Sequence, residues 1–359
     1  MMRGAVLAHG LIRVQPEDFV VEEIPLYEPS GTGDHLYVRF RKRNKNTFDV
    51  VRDLAKLWGV AARDIGVAGM KDKIAVTEQT ISVPGKVGKE RALETQLEDV
   101  TILSAELHGN KLRTGHLKGN RFDIVVRDID IAHEAAIDAA IARIREHGIP
   151  NYYGEQRFGH GGGNVARALR WLKGEDGRAP RDQRERKLLV SALQSEIFNG
   201  VLRAREEDGT WNQVLEGDVA RKEDSGGLFV SEDEATDNAR AARAEISPTG
   251  PMFGPKMPKP RGKPLELEER IQAGILGDGF PFAKAADYGE GARRTLRFFA
   301  TEMQSQWEGE NSGNPPHLRL RFVLPKGAYA TTVLGSFLDL GRREKDEDVE
   351  LPSDAVSAS

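Results

Sequence analysis

The most informative stretch of this chain is residues 64–83, which read Asp-Ile-Gly-Val-Ala-Gly-Met-Lys-Asp-Lys-Ile-Ala-Val-Thr-Glu-Gln-Thr-Ile-Ser-Val. The apolar residues before Gly69 and the β-branched residues from Ile81 onward predict two strands joined by a loop. That loop carries Lys71, Asp72 and Lys73. Loops fixed between regular elements often carry functional side chains, because the scaffold holds them in place. The stretch therefore makes Asp72 a candidate catalytic residue.

The residue type at position 72 suits two interpretations. A carboxylate between two ammonium groups is expected to be ionised, since nearby positive charge favours the anion. An ionised carboxylate in a sheltered site can act as a nucleophile or a base. A charged surface turn would show the same residues, so spacing alone leaves both interpretations open. Gly69 does not belong to a phosphate-binding loop, because the segment lacks the pattern Gly-x-x-x-x-Gly-Lys-Ser/Thr.

Strand patterns dominate the first 130 residues and return near the C-terminus. Alternating apolar and polar residues predict strands at 18–24, 36–41, 79–83, 122–127 and 318–324, with further strand character over 329–339. Apolar residues three and four apart predict helices at 47–58, 133–147 and 188–205. Residues 247–264 carry six prolines and predict an irregular, basic loop. Strands at both ends and a more helical middle indicate an α+β core interrupted by an insertion.

The first predicted helix has clear expected ends. Thr47 can cap its start, and Gly59 is expected to stop it. Its apolar residues at helical spacing predict a buried face formed by Phe48, Val51, Leu54 and Leu57.

Composition excludes several classes of site. The chain has 359 residues, enough for two domains that each bury a core. It has no cysteine, which excludes a disulfide scaffold, a thiolate metal site and a cysteine nucleophile. No pair of its eight histidines has metal-ligand spacing, so we expect no zinc. No segment has the length of a membrane span or the pattern of a secretion signal, so we expect a cytoplasmic protein.

Charge is distributed unevenly along the chain. The formal net charge is −4, and residues 343–359, with six acids and two bases, account for all of it. Residues 206–245 hold twelve acids and four bases, so the remainder of the chain is basic. The run 39–45, Arg-Phe-Arg-Lys-Arg-Asn-Lys, has five bases and no acid. Such runs suit a nucleic-acid backbone, because each neutralised phosphate releases counterions; ordinary solvated surface is the alternative.

Five segments of the chain, in order, resemble the TruD family of tRNA pseudouridine synthases. They are Arg13-Val-Gln-Pro-Glu-Asp-Phe19, Gly69-Met-Lys-Asp-Lys-Ile-Ala-Val-Thr-Glu-Gln79, Leu117-Lys-Gly-Asn-Arg-Phe122, Pro150-Asn-Tyr-Tyr-Gly-Glu-Gln-Arg-Phe-Gly159 and Leu324-Pro-Lys-Gly-Ala-Tyr-Ala-Thr331. Together they span the chain from about residue 11 to residue 340. Five ordered matches are far more specific than any one of them.

The resemblance implies a fold, a reaction and a substrate. The implied fold is a pseudouridine synthase core with a mixed β-sheet, formed by 1–147 and 303–342, and an inserted α/β domain at 148–302; we expect the acidic tail 343–359 to be disordered. The implied enzyme is an isomerase that converts uridine to pseudouridine, usually at position 13 of tRNA. It uses no cofactor and no metal. The expected partner is tRNA, and no obligate protein partner is inferred.

The resemblance makes Asp72 the catalytic nucleophile. Cleaving a glycosidic bond builds positive charge on the sugar, which a carboxylate can stabilise, trap covalently or relieve by taking a proton. The sequence does not choose between the covalent and the glycal route. Lys71 matches the family's Lys-Asp pair and is expected to keep Asp72 ionised or to contact a phosphate. Arg13 stands where the family usually has lysine, so phosphate contact or pairing with Asp72 is expected rather than direct catalysis.

Four further residues are expected to bind the substrate. Phe19, Phe122 and Tyr329 match aromatic positions that line the family's active site, and an aromatic face can replace the stacking that an extruded uridine loses. Phe19 and Phe122 also fit core positions of strands. Tyr329 departs from the usual phenylalanine but can stack equally well. Asn120 has an amide suited to the edge of uracil or a ribose hydroxyl, and it equally suits a turn after Gly119.

Two other functions are consistent with parts of the sequence. One is a non-catalytic RNA-binding protein that keeps the fold without activity; it would need basic patches but no sheltered carboxylate. The other is a hydrolase in which Asp72 works with Glu17 or Asp18 as an acid/base pair. Such a hydrolase requires two carboxylates held across one bond.

Overall fold

The structure is a computed structural model, and it describes residues 7–175, 180–309 and 316–341. The described residues form two compact units, one of residues 146–299 and one of residues 7–145 with 300–341. We call the second the core unit and the first the inserted unit. The expected acidic tail, 343–359, lies outside the described residues.

The chain begins with most of the core unit. Its elements are, in chain order, β1 (Ala8–Leu11), β2 (Phe19–Pro25), β3 (His35–Arg43), α1 (Thr47–Trp58), β4 (Gly66–Val67), β5 (Val76–Pro84), α2 (Lys89–Leu93), β6 (Val100–His108), β7 (Leu117–Val126) and α3 (Glu134–His147). Short 3-10 helices lie at Pro16–Asp18, Ala62–Asp64, Gly85–Val87 and Ile131–His133. The expected helix over 133–147 is confirmed, and its residues Ile137, Ile141 and Ile144 are buried.

The inserted unit combines helices with a small antiparallel sheet. Its elements are β8 (Ile149–Pro150), α4 (Gly163–Lys173), α5 (Gln183–Glu207), β9 (Val219–Lys222), β10 (Leu228–Val230), α6 (Glu234–Ala242), β11 (Ile246–Met252), α7 (Gly262–Leu276), α8 (Phe282–Ala286), β12 (Ala292–Thr295) and β13 (Arg297–Phe298), with 3-10 turns at Glu155–Phe158 and His160–Gly162. The sheet order is β10-β9-β11-β12. Helix α5 supplies much of the buried core, including the apolar residues of the predicted helix over 188–205.

The chain then returns to the core unit through β14 (Thr301–Glu308), β15 (His317–Pro325), α9 (Ala330–Leu334) and β16 (Leu338–Gly341). The main sheet has the order β14-β15-β7-β2-β5-β3-β6, with β4 added on β5. Strands β2 and β5 run parallel and the other pairs run antiparallel. The mixed sheet of an α+β fold is therefore confirmed. A separate parallel pair joins β1 to β16.

The two faces of the main sheet differ sharply, as the alternation in its strands requires. In β15 the residues Leu318, Leu320, Phe322 and Leu324 are buried, whereas Arg319 and Arg321 lie on the other face. The buried face of β3 packs on α1 in one cluster with Leu36, Val38, Phe40, Val50 and Leu54. Burying such side chains contributes roughly 1.5–3 kcal/mol each, so this cluster fixes α1 against the sheet.

Three local expectations were wrong. Helix α1 is capped by Asn46, whose side chain accepts from the Phe48 N–H, and Thr47 is its first residue. Its buried stripe runs through Val50, Val51, Leu54 and Trp58, which leaves Phe48 and Leu57 exposed. Segment 329–339 holds the short helix α9 before β16 rather than one strand.

The proline-rich segment 247–264 is also more regular than expected. It contains most of β11 and the start of α7, so an irregular loop remains only between them. The first half of β11, residues 246–248, pairs with β9 and the second half, residues 249–252, pairs with β12. Each half has a paired strand on one side only, and on the other side Pro248 accepts the N–H of Leu296 over 2.9 Å. The strand therefore accommodates Pro248 and Pro251 despite their missing N–H groups.

Candidate active site

Residues 68–75, called here the Asp72 loop, connect β4 to β5 and are held by side chains from two other elements. The Lys71 N–H donates to Oγ1 of Thr47, at the start of α1, over 3.2 Å. Thr47 in turn donates to Oε1 of Gln79 in β5 over 2.9 Å. The Lys42 ammonium of β3 donates to the backbone carbonyl of Asp72 over 2.7 Å. The loop is therefore tied to the sheet and to α1 on both sides of its functional residues.

The Asp72 side chain is partly open to solvent and is paired with Arg13. Its side chain is 40% exposed, whereas the Arg13 side chain is 12% exposed. The Arg13 Nη2 donates to Oδ2 of Asp72 over 2.8 Å. Arg13 has a φ of 59°, in the left-handed region that costs a non-glycine residue energy. The structure therefore brings Arg13 and Asp72 together across 59 positions of sequence, the pairing that was one of its two expected roles.

Arg13 also covers Phe19. Its guanidinium carbon lies 4.2 Å from the centroid of the Phe19 ring, in cation–π geometry. Phe19 is 1% exposed and packs edge-on against Phe122, with 6.1 Å between ring centroids. Phe122, 7% exposed, stacks in turn on Phe322 at 5.4 Å. The two predicted aromatic residues are thus adjacent core residues of the sheet, and Arg13 occupies the face of Phe19 in this structure.

Lys71 points to a different carboxylate from the one expected. Its ammonium pairs with Oε2 of Glu23, in β2, over 2.7 Å, and the two side chains are 7% and 2% exposed. The second oxygen of Glu23 accepts the N–H of Thr80 over 3.2 Å, so both carboxylate oxygens are satisfied. Such burial leaves Lys71 unsuited to bind a phosphate directly. This ion pair anchors the Asp72 loop to β2.

Asn120 lies in β7 directly opposite Glu23 in β2. Its Oδ1 is buried and has no hydrogen-bond partner among the described residues. The preceding glycine is required by packing, since a Cβ at Gly119 would collide with the backbone carbonyl of Leu324 in β15. Asn120 is therefore a strand residue rather than a turn residue. Buried polar atoms are almost always satisfied, so an orphaned acceptor opposite Glu23, the partner of Lys71, is a position where a ligand can donate.

Tyr329 stands apart from the buried aromatic residues. It is 59% exposed and directly precedes α9, in the connection that follows β15. Pro325, the last residue of β15, pairs with Gly119 beside Asn120, so the connection starts at the same end of the strand pair. Unlike Phe19 and Phe122, Tyr329 has a ring that is accessible without rearrangement.

Lys42 and Glu23 belong to this site although the sequence did not single out either as a site residue. Lys42 is fully buried and Glu23 is 5% exposed. The alternation of the two strands could have revealed that both residues are buried. Lys42 lies on the same face of β3 as Val38 and Phe40, and Glu23 lies on the same face of β2 as Phe19 and Val21. A charged residue on the buried phase of a strand requires a partner, and here the partners lie on or beside the Asp72 loop.

Neither additional carboxylate considered for a hydrolase is free to act with Asp72. Asp18 is 1% exposed and accepts two hydrogen bonds from Arg127, over 2.9 and 2.7 Å. Glu17 pairs with Arg43 over 2.6 Å, and this hydrogen bond lowers the pKa of Glu17. The arrangement does not present two carboxylates across one bond.

The basic run 39–45 does not form a free positive patch. Lys42 is buried, and each arginine pairs with an acid from another element: Arg39 with Glu22 and Glu78, Arg41 with Glu78, and Arg43 with Glu17. Burial opposes ionisation of Glu78, but hydrogen bonds from Arg41 and Arg39 hold its pKa below the usual value. Phosphate binding by this run therefore stays a prediction, and the acids that pair with its arginines are contacts that the sequence does not show.

The described residues offer neither a metal-ligand cluster nor a membrane-spanning helix. Within 7–175, 180–309 and 316–341, histidine and acidic side chains nowhere gather in threes as a metal ion would need. Over the same ranges, each helix is too short or too polar to cross a bilayer.

Comparisons with known proteins agree on one family. The family model described as tRNA pseudouridine synthase D (TruD) matches residues 6–167 and 181–337. A tRNA pseudouridine synthase D of Thermus thermophilus is 41% identical over 348 residues, covering 96% of this chain and 93% of its own. One from an Anaeromyxobacter species is 42% identical over 348 residues, covering 94% of this chain and 96% of its own.

A solved structure supports the same assignment. The crystal structure of a protein from Methanosarcina mazei, described as a putative tRNA pseudouridine synthase D, superposes with a TM-score of 0.75 at 25% identity. The match covers 92% of this chain and 93% of that one. With the family model matching nearly the whole chain, this protein belongs to the TruD family of tRNA pseudouridine synthases.

Proposed function

We propose that this protein is a tRNA pseudouridine synthase, an isomerase that converts uridine to pseudouridine at position 13 of tRNA with Asp72 as its catalytic nucleophile. The observation that carries the proposal is the Asp72 carboxylate itself. The Asp72 side chain is 40% exposed, it is paired with Arg13, and its loop is anchored to the sheet through Lys42. A carboxylate that is rigidly held yet accessible is suited to react with a substrate. Family membership supplies the substrate class.

The reaction requires a group that relieves the positive charge that develops on the ribose when the glycosidic bond breaks. The bond between C1′ of the ribose and N1 of uracil breaks, and N1 keeps the electron pair. Asp72 then bonds to C1′ or takes a proton from C2′, and either step relieves the charge on the ribose. Uracil turns and C5 bonds to C1′, as the Asp72–C1′ bond breaks in the covalent route or as Asp72 returns the proton to C2′ in the glycal route. The C5 proton leaves and N1 gains one, so the product has the composition of the substrate.

Binding of an extruded uridine would use the residues around Asp72. The free Oδ1 of Asn120 can accept from N3–H of uracil or from a ribose hydroxyl. Tyr329 offers an exposed ring for stacking. The Phe19 ring lies under the Arg13 guanidinium, so Phe19 contributes to the site by holding Arg13 beside Asp72. Phe122, 7% exposed, supports Phe19 from the side. Lys71 does not contact the uridine; it holds the Asp72 loop on β2 through its ion pair with Glu23.

The proposal is tested by mapping pseudouridine in an unmodified tRNA transcript through its carbodiimide adducts. The protein should create one adduct, at position 13, and none in a matched transcript with cytidine there. Pseudouridine at another position would refute the target but keep the activity. Release of free uracil would indicate the hydrolase, and tight binding with no product would indicate a non-catalytic RNA-binding protein.

We also propose a cytoplasmic location, because tRNA is the substrate class of the family. No cofactor, metal or obligate protein partner enters the proposal. The transcript assay, run with purified protein in chelator, tests the cofactor and metal part directly. Activity that appears only after adding a cell extract would contradict it.

A further inference from the structure

Among the lysines that the structure describes, Lys42 has its whole side chain enclosed. It is 0% exposed and lies on the buried phase of β3, between Phe40 and the end of the strand. Its neighbours across the sheet are Thr77 in β5 and Val100 in β6. Lysine is almost never fully buried unless it is paired, because its charge loses hydration. The Lys42 ammonium therefore requires hydrogen-bond partners inside the protein.

The ammonium group of Lys42 binds two backbone carbonyls from different segments. One belongs to Asp72 and the other to Lys45, and both hydrogen bonds are 2.7 Å long. The hydrogen bond to Asp72 fixes the peptide group between Asp72 and Lys73. The hydrogen bond to Lys45 fixes the turn between β3 and α1. Lys42 thereby joins the Asp72 loop to the element that supplies Thr47, the other side chain bonded to the loop.

Several charged groups lie around this ammonium. The Asp72 carboxylate favours its charged form, and the Lys71 ammonium disfavours it. Asp72 is itself paired with Arg13, and Lys71 with Glu23. Burial has the largest effect and lowers the pKa of Lys42 to about 8. The charged and neutral forms of Lys42 are therefore both within reach of ordinary assay conditions.

We propose that Lys42 is a positioning residue of the active site, whose buried ammonium holds the Asp72 peptide so that the carboxylate is presented to the ribose. This inference rests on the proposed function of Asp72. Lys42 does not touch RNA, since no part of its side chain reaches the surface. Its loss should therefore lower the rate of the chemical step and leave the affinity for tRNA unchanged.

Three variants test the inference in the full-length protein. Lys42→Met keeps the length of the side chain and removes its charge and donors. Lys42→Arg keeps a charge that is not lost at accessible pH. Arg41→Met is the matched control, because it removes a charge from the next residue of β3, whose side chain pairs with Glu78 on the other face. The measurements are the single-turnover rate of pseudouridine formation, the Kd for tRNA, and thermal unfolding.

For Lys42→Met we expect a folded protein, an unchanged Kd and a rate lowered about 100-fold, the size of effect that a displacement near 1 Å can cause. Arg41→Met should keep the wild-type rate. The wild-type rate should fall as pH rises from about 7 to about 9, while the rate of Lys42→Arg, even if low, should not fall. A purely structural role would not produce this difference between the profiles.

Two results would overturn the inference. One is a folded Lys42→Met protein with the rate of the wild type. The other, decisive if Lys42→Met does not fold, is a wild-type rate that stays constant over this pH range. Failure of the proposed function looks different, because the wild-type protein itself would then form no pseudouridine at any pH.

Discussion

The guanidinium of Arg13 donates a 2.8 Å hydrogen bond to the carboxylate of Asp72, so the catalytic candidate carries its own counter-ion. The same guanidinium lies over the Phe19 ring, which links the carboxylate to the aromatic core of the sheet. Arg13 therefore holds the Asp72 side chain, while the Lys42 ammonium holds its backbone carbonyl.

Replacing Arg13 tests whether Asp72 needs a fixed cation. Arg13→Met should lower the single-turnover rate about 10- to 100-fold, because a hydrogen bond to a charged group contributes about 1.5–3 kcal/mol. Arg13→Lys should retain more activity, since it keeps the positive charge beside Asp72. Equal rates for the two variants would show that the charge at this position has no role.

The buried pair of Lys71 and Glu23 should matter for stability. Lys71→Met leaves the Glu23 carboxylate enclosed without its partner, which should lower the free energy of unfolding by about 3–5 kcal/mol. Urea denaturation measures this value. The control is removal of the Arg52 side chain, whose ion pairs with Asp49 and Asp53 are exposed. This change should lower the free energy of unfolding by only about 0–1 kcal/mol. The double variant Lys71→Met with Glu23→Leu should recover much of the loss; strictly additive losses would contradict a direct pair.

Burial of Lys42 predicts opposite effects of pH on stability and on rate. Its pKa is about 8 in the folded protein and 10.5 ordinarily, so between these values the unfolded chain binds more protons. The contribution of Lys42 to the free energy of unfolding must then rise with pH, by up to about 3 kcal/mol, and be lost as pH falls through the folded pKa. The difference between wild type and Lys42→Met, from denaturation at several pH values, should grow over this window. A constant difference would contradict the low pKa.

The arginines of β3 should contribute little to tRNA affinity. Arg41→Gln removes a charge that Glu78 already balances, so the Kd and its salt dependence should change little. Lys73→Gln removes an exposed charge next to Asp72, so it should weaken binding and lower the salt slope by about one unit. Filter binding at several salt concentrations measures both. A larger effect for Arg41 than for Lys73 would place the RNA on the charged face of the sheet.

The sequence predicted the strands and helices whose periodicity is long and regular, such as α3, α5 and β15. It also identified the Asp72 loop, because that loop carries a family motif. It did not reveal the partner of Lys71 or the pairing of the basic strand residues. Those contacts depend on which strands become neighbours, and alternation within one strand carries no information about that. The burial of Lys42 and Glu23 was visible in the phase of their strands, but their partners were not.

The central claim is that the carboxylate of Asp72 performs the chemistry, and Asp72→Asn tests it most directly. The substitution keeps the shape of the side chain and leaves the backbone carbonyl that Lys42 binds. Single-turnover assays with unmodified tRNA should detect no pseudouridine, while the Kd for tRNA stays close to that of the wild type. Pseudouridine formation by Asp72→Asn at the wild-type rate would contradict the assignment.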